Sequence, residues 1–308
     1  MPFQGRRVLV TGARGFIGGY IVEALQQRHA VVTVLNRMPS RADASFLQHT
    51  GDLRDAGFVR DCVSSVRPEI VFHLAAFKER TPELAAFSDA ISTNVMGSLN
   101  LFTALHEQKG VGSIVVVGTA EEYGHHSAPF VEQMREAPVT AYSFSKACTT
   151  QLCDILYRLY QLPAVVVRPT IVYGPRQGSD MFLPALIESL LLGRPFPMTA
   201  GQQTRDFLYI TDLVDGLLRA ATTPSACGEV VNLGSGRPVS IGKLALDIER
   251  MLGKVGLVRL GALPYRPKEV MSYSVDIRKA AEVLNWRPTV SLEQGLAHTI
   301  QYCQSALQ

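Results

Sequence analysis

Tyr142 and Lys146 stand four residues apart in the segment TAYSFSK, and a helix there would carry both side chains on one face. An ammonium beside a phenol favours the phenolate and lowers a pKa of about 10 towards neutrality. Such a pair suits a general acid/base working on a hydroxyl or a carbonyl. Tyr and Lys at this spacing also arise by chance, so their neighbours decide. Thr119 follows the apolar run SIVVVG and is placed to hydrogen-bond an oxygen that alternates between hydroxyl and carbonyl. Two glutamates come next. Glu121 stays open between a substrate acid/base and surface charge, whereas Glu122 reads as a solvated loop charge. His125 and His126 have no third ligand at a recognisable spacing, so no metal site is expected.

The stretch Gly12-Ala13-Arg14-Gly15-Phe16-Ile17-Gly18 lies between a strand pattern and a helix pattern. In that context the glycines permit a tight turn, a close approach by a pyrophosphate and close packing of helix on strand. The helix N-terminus presents free N–H groups to the phosphates. A dinucleotide cofactor is therefore expected, with Lys146 reaching its nicotinamide ribose. The second strand ends in Asn36-Arg37, where an NAD site usually has an acidic residue for the ribose 2′-hydroxyl. Arg37, assisted by Arg14, would attract a 2′-phosphate, so NADP(H) is favoured over NAD(H). Asp52 is placed to accept from the adenine amino group, with Leu53 packing on the ring.

These residues need a scaffold that brings strand ends together. Strand patterns (RRVLVTG, VVTVL, Phe46–His49, EIVFHLAA, SIVVVG, AVVVRP) alternate with helical ones (Gly15–Arg28, Asp55–Val66, Ser92–Glu107, Tyr142–Tyr160). Continuous apolar strands separated by helices imply an α/β fold of the Rossmann type, a doubly wound parallel sheet covered on both faces. After Pro169 the texture becomes richer in Pro and Gly, with helices expected at Phe182–Leu192, Thr211–Ala221, Ser240–Leu252 and Ser291–Cys303. The expected division is a cofactor domain over 1–169 and a smaller C-terminal α/β substrate lobe over 170–308, with the chain free to cross back between them.

The totals exclude several classes. A chain of 308 residues with 47% apolar content can bury a large core. A net charge of +3, with the two signs intermixed, gives no footprint for nucleic acid. No segment approaches the roughly 18 apolar residues of a membrane span. The N-terminal residues run directly into a strand pattern with no signal-like apolar region. Five cysteines with no C-x-x-C spacing suggest reduced thiols in a cytosolic protein.

With these motifs in view, the chain resembles the extended short-chain dehydrogenase/reductases, the NAD-dependent epimerase/dehydratase family that modifies nucleotide sugars. Besides TGARGFIG and YSFSK the likeness includes GDL (Gly51–Leu53), HLAA (His73–Ala76), RP (Arg168–Pro169) and YGPRQ (Tyr173–Gln177). It continues through QTRDFLYITDL (Gln203–Leu213), NLGSGRPVSI (Asn232–Ile241), RPKEV (Arg266–Val270) and LNWRPTVSLEQGL. The resemblance implies Thr119, Tyr142 and Lys146 as the catalytic set. It implies Leu74, Ala75 and Ala76 among the cofactor contacts. The substrate would be a nucleotide-diphosphate sugar, with Arg205 and Arg266 at its phosphates or nucleotide; a structural ion pair is the alternative for either arginine. It also implies a homodimer through a four-helix bundle built from the Ser92–Glu107 and Tyr142–Tyr160 helices, with Leu152, Ile155, Leu156, Leu159 and Tyr160 supplying apolar spacing.

Two departures bear on the reaction. The family's R-x-x-N-x-Y-G-P has Ile171 at its asparagine, which removes a usual diphosphate contact. In the matching stretch of 4,6-dehydratases an Asp or Ser precedes the Glu, and Ala120 stands there instead. Elimination needs a proton donor that alanine lacks. The Glu-Glu-Tyr-Gly ending looks closest to GDP-4-keto-6-deoxymannose reductases, so a 4-ketoreductase is the leading expectation. A 4-epimerase or 4,6-dehydratase that recycles a bound cofactor is the alternative. A silent NADP-binding protein is disfavoured because Tyr142 and Lys146 are both present.

Overall fold

The computed structural model describes residues 2–38, 46–79, 83–266 and 269–307. The first half alternates strand and helix as its patterns require: β1 (Arg7–Thr11), α1 (Phe16–Gln26), β2 (Val31–Asn36), β3 (Leu47–Thr50), α2 (Ala56–Val66) and β4 (Ile70–His73). Then come α3 (Leu84–Ala90), a π-helical turn (Ile91–Met96), α4 (Gly97–Gln108), β5 (Ser113–Val117), α5 (Ala141–Tyr160) and β6 (Ala164–Pro169). The helix expected over Ser92–Glu107 is a π-helical turn followed by α4, and α3, which the patterns did not single out, precedes it. The other observed ends lie within a few residues of those expected. Asp55 caps α2 by accepting from Phe58 N–H at 3.0 Å, and Thr140 caps α5 by accepting from Ser143 N–H at 3.1 Å.

The second half is built of shorter pieces. Strands β7 (Ile171–Tyr173), β8 (Phe196–Pro197), β9 (Thr204–Arg205) and β10 (Phe207–Tyr209) precede β11 (Val230–Leu233). Strands β12 (Val239–Ser240), β13 (Val258–Arg259) and β14 (Ser272–Tyr273) follow it. The helices are α6 (Phe182–Leu191), α7 (Ile210–Thr222), α8 (Ile241–Met251), α9 (Arg278–Leu284) and α10 (Leu292–Ala306). Helix α9, one that sequence periodicity missed, has only seven residues.

Among the described residues the central sheet has seven strands in the order β3-β2-β1-β4-β5-β6-β11, all parallel. This is the Rossmann-type order, with β11 from the second half added at the β6 edge. Successive residues of a strand serve opposite layers. Val8, Val10, Val115, Val117, Val165 and Val167 enter one core with α1 and α7. Leu9, Val71, Ile114, Val116 and Val166 enter the other, with α2 and α4. Both faces are covered, which is why these strands are apolar throughout.

The likeness motifs of the second half act as anchors. Asp212 of ITDL accepts from Thr289 N–H at 3.0 Å and Val290 N–H at 3.0 Å, while Trp286 Nε1–H donates to the Asp212 carbonyl at 3.1 Å. These bonds tie the NWRPTV segment to α7. Asp206 of RDF accepts from Ser235 N–H at 2.8 Å and Gly236 N–H at 3.1 Å, fixing the NLGSG turn.

Candidate active site

The glycine segment opens α1 beside β4. Gly12 has φ +73°, and a Cβ there would lie 2.6 Å from the Ala75 nitrogen; a Cβ at Gly18 would lie 2.3 Å from the Gly12 carbonyl oxygen. Only glycine allows this cradle. Gly15 precedes the first turn of α1 and gives it no side-chain cap, so the turn's N–H groups remain for an anion. The backbone and donor set therefore fit a dinucleotide pyrophosphate. Phe16 and Ile17 turn partly into the core.

The loop after β4 is fixed by a buried polar chain. His73 is 2% exposed; its Nδ1 lies 2.8 Å from Thr11 Oγ1 and its Nε2 lies 2.8 Å from Ser98 Oγ. Thr11 Oγ1 accepts from Ala75 N–H at 3.2 Å, and Ser98 Oγ–H donates to the Asn94 carbonyl. Asn94, in the π turn, accepts from Phe77 N–H at 2.7 Å and donates to Ser145 Oγ at 2.8 Å. Burial, helped by the nearby Lys146 charge, pushes His73 down to about 3, so it is neutral. The chain thus links Leu74, Ala75 and Ala76 to α5.

At the β2 end Asn36 is buried, whereas Arg37 and Arg14 are exposed. Asp52 is held by Arg54, whose N–H and guanidinium donate at 2.9 Å, 3.0 Å and 2.7 Å, so its carboxyl already has donors. Leu53 is 5% exposed and packs with Leu9, Leu35 and Val59, so it presents little surface to a ring.

At the β5 end Thr119 is 7% exposed and begins a single 3₁₀ turn, Ala120–Tyr123. Tyr142 is partly buried in the first turn of α5, and Lys146 lies one turn on. Lys146 is 4% exposed, and its ammonium donates to the Val117 carbonyl at 2.7 Å. Burial lowers Lys146 to about 8 while Glu122 opposes the shift. Glu121 is partly exposed and Ala120 is fully buried.

Glu122 corrects the expectation of a solvated charge. It is 0% exposed. Its Oε1 accepts from Thr119 N–H at 2.9 Å, and its Oε2 accepts from Thr150 Oγ1–H at 2.8 Å, Arg168 Nε–H at 2.9 Å and a second Arg168 nitrogen at 2.8 Å. Burial raises its pKa while Arg168 and these donors oppose the shift. Backbone N–H and guanidinium donors cannot accept, so the carboxylate is the form this site fits. Arg168 also binds Glu136 at 2.6 Å and lies 4.7 Å over the Tyr123 ring.

Arg205 takes the structural alternative named for it. It pairs with Glu269 and donates to the Thr204 carbonyl at 2.8 Å and the Val270 carbonyl at 2.7 Å. Arg266 is exposed; Pro267 and Lys268 of the same motif lie outside the described residues. Ile171 lies in β7, paired with Phe207, and its side chain is partly buried.

The family model described as NAD dependent epimerase/dehydratase matches residues 8–234. The chain belongs to that family. It is 30% identical to the UDP-glucuronate 4-epimerase of Thermodesulfobacterium geofontis, across 97% of both chains. It is 26% identical to the dTDP-glucose 4,6-dehydratase of Haemophilus influenzae, across 96% of this chain and 97% of that one. The solved UDP-glucose 4-epimerase of Thermotoga maritima, with UDP-glucose, superposes at TM-score 0.91 with 29% identity, over 98% of this chain and 99% of that one. MoeE5 in complex with UDP-glucose and NAD superposes at TM-score 0.88 with 30% identity, over 98% and 99%.

This epimerase/dehydratase-family enzyme therefore has Thr119 and Lys146 anchored at one strand end, with Tyr142 on the same face of α5 as Lys146. Sequence reasoning missed the structural parts played by Glu122, Arg168, His73 and Asn94. Arg168 had a signal: a lone arginine at the end of an apolar strand needs a buried partner. Glu122 had one too, since Thr119-x-x-Glu122 is capping-box spacing, but its burial depends on partners 28 and 46 residues away.

Proposed function

We propose that the protein is a nicotinamide-dependent nucleotide-sugar 4-epimerase. The observation that carries this reading is the Thr119, Tyr142 and Lys146 set at the β5 end, with fully buried Ala120 where an elimination would need a donor. The relatives named above include two 4-epimerases and a 4,6-dehydratase, which favours this alternative over the 4-ketoreductase expected from the Glu-Glu-Tyr-Gly ending. A nicotinamide dinucleotide held by the Gly12–Gly18 cradle would supply a reversible hydride acceptor for the sugar C4. Tyr142 removes the O4 proton and gives it back, Thr119 orients O4, and the Lys146 ammonium lowers the cost of the Tyr142 phenolate. Inversion requires the keto sugar to turn over between the two transfers.

Partly exposed Glu121, at the family's acid position, supports 4,6-dehydration as the second reading. One assay separates them: incubate with NAD⁺ and UDP-glucose, UDP-glucuronic acid or dTDP-glucose, and identify the product. An epimer of unchanged mass supports epimerisation, and loss of water supports dehydration. Consumption of NADPH with a 4-keto-6-deoxy sugar would restore the reductase.

The same proposal covers the finer points. Exposed Arg14 and Arg37 leave a place for a 2′-phosphate, although MoeE5 was solved with NAD. Residues 1–169 hold the cofactor and 170–308 the substrate, with β11 returning to the central sheet. Arg266, together with Arg205 if it leaves Glu269, would meet the diphosphate. A homodimer would cover Ile155, Leu159 and Tyr160 of α5, which are 43%, 65% and 55% exposed; Leu159→Lys would then give a monomer in sedimentation. Five unpaired cysteines support a cytosolic setting.

A further inference from the structure

Glu122 is one residue beyond the partly exposed Glu121, yet it is fully buried. Its carboxylate folds back beneath its own 3₁₀ turn and accepts the Thr119 N–H at 2.9 Å. In return the Thr119 hydroxyl oxygen accepts from Glu121 N–H at 3.2 Å. A hydroxyl that accepts there keeps its own proton for a second partner. The turn is thus a closed capping box, with both the backbone and the side chain of Thr119 held. A Cβ at residue 118 would lie 2.6 Å from Glu122 Oε1, so Gly118 is what leaves room for the returning carboxylate.

A solvated capping box frays, but this one is bolted to the core. The other carboxylate oxygen meets Thr150 on α5 and Arg168 on β6, and Arg168 is itself held by Glu136. The turn that carries Thr119 is thereby tied to the helix that carries Tyr142 and Lys146.

We infer that Glu122 is a positioning residue: its buried carboxylate, braced by Arg168 and Thr150, sets the orientation of Thr119 towards the reacting oxygen. The inference rests on the proposed role of Thr119 and adds a residue that never touches substrate. Displacing a positioned group by about 1 Å can cost on the order of a hundredfold in rate. Loss of Glu122 is therefore read mainly in kcat.

The test has two arms. In NAD⁺-loaded protein with nitrogen-labelled threonine, Glu122→Gln should speed amide exchange at Thr119 at least about tenfold, since protection there depends on the carboxylate. With UDP-glucose or UDP-glucuronic acid, kcat should fall about a hundredfold at unchanged KM. In a Thr119→Ala background the same substitution should cost nothing more. Thr150→Val removes one brace and should act the same way at about fivefold; it carries the test if Glu122→Gln does not fold. Unchanged exchange at Thr119, or losses that multiply in the double variant, would overturn the inference. If neither sugar is turned over, the exchange result alone decides. Full activity in Tyr142→Phe would sink the site reading instead, and the exchange rate at Thr119 would still decide whether Glu122 holds that residue in place.

Discussion

The ends of β5 and β2, which the proposed function assigns to the sugar and the cofactor, handle charge in opposite ways. At β5 the charges are interior: Glu122, Arg168 and Lys146 are 0%, 0% and 4% exposed, and each has a partner at 2.9 Å or less. At β2, Arg37 and Arg14 are exposed. A buried ion is costly unless its hydrogen bonds are met, so the β5 groups are locked into one geometry. An exposed cation keeps its hydration and moves freely, contributing about 0–1 kcal/mol in an ion pair. Reaction geometry can be built on the first arrangement. The second offers a ligand no more than a solvent-screened contact.

Tyr142→Phe should lower kcat by about 10²–10⁴-fold, with cofactor affinity unchanged in a binding titration. Next is stability. Arg168→Met leaves Glu122 and Glu136 without their shared cation and should cost about 3–5 kcal/mol in denaturant unfolding. An equal loss from Arg37→Met would erase the contrast between the two strand ends.

His73 gives the interior groups a dependence on pH. Its folded pKa of about 3 lies below the ordinary 6.5, so the unfolded chain takes up the proton first. Stability from the neutral ring is full above pH 6.5 and is lost as pH falls towards about 3, at up to about 1.4 kcal/mol per pH unit. His73→Gln should flatten that slope in acid-unfolding curves. The smallest effect belongs to β2: Arg37→Asp should lower NADP⁺ affinity about tenfold relative to NAD⁺ by calorimetry, the scale of one solvent-screened phosphate contact.

Much of the fold and part of the site were legible in the residues alone. The parallel sheet followed from apolar strands between helices, and the cofactor loop from Gly12, Gly15 and Gly18. Tyr142 and Lys146 stood out because helical spacing is a local property. Glu122 was misjudged because its spacing from Thr119 marks a cap, while its burial depends on what lies beneath the turn. Arg205 and Asp52 showed their residue types, but their partners Glu269 and Arg54 emerged only in the structure. The Ser92 helix was seen without its π turn, whose backbone shift sets Asn94 against Phe77 and Ser145.

Short-range pattern in the residues was enough for the six strands up to Pro169, for a glycine-rich turn suited to a phosphate, and for a phenol and an ammonium on one helix face, whereas the short strands after Pro169, β11 of the central sheet among them, carried no such pattern. Such patterns depend on residues within a turn or two of one another. Which charges are buried, and with whom, depends on how distant elements pack. Residues 122, 150 and 168 meet because β5, α5 and β6 pack together, and the free energy of a buried charge is set by those neighbours rather than by its own residue type.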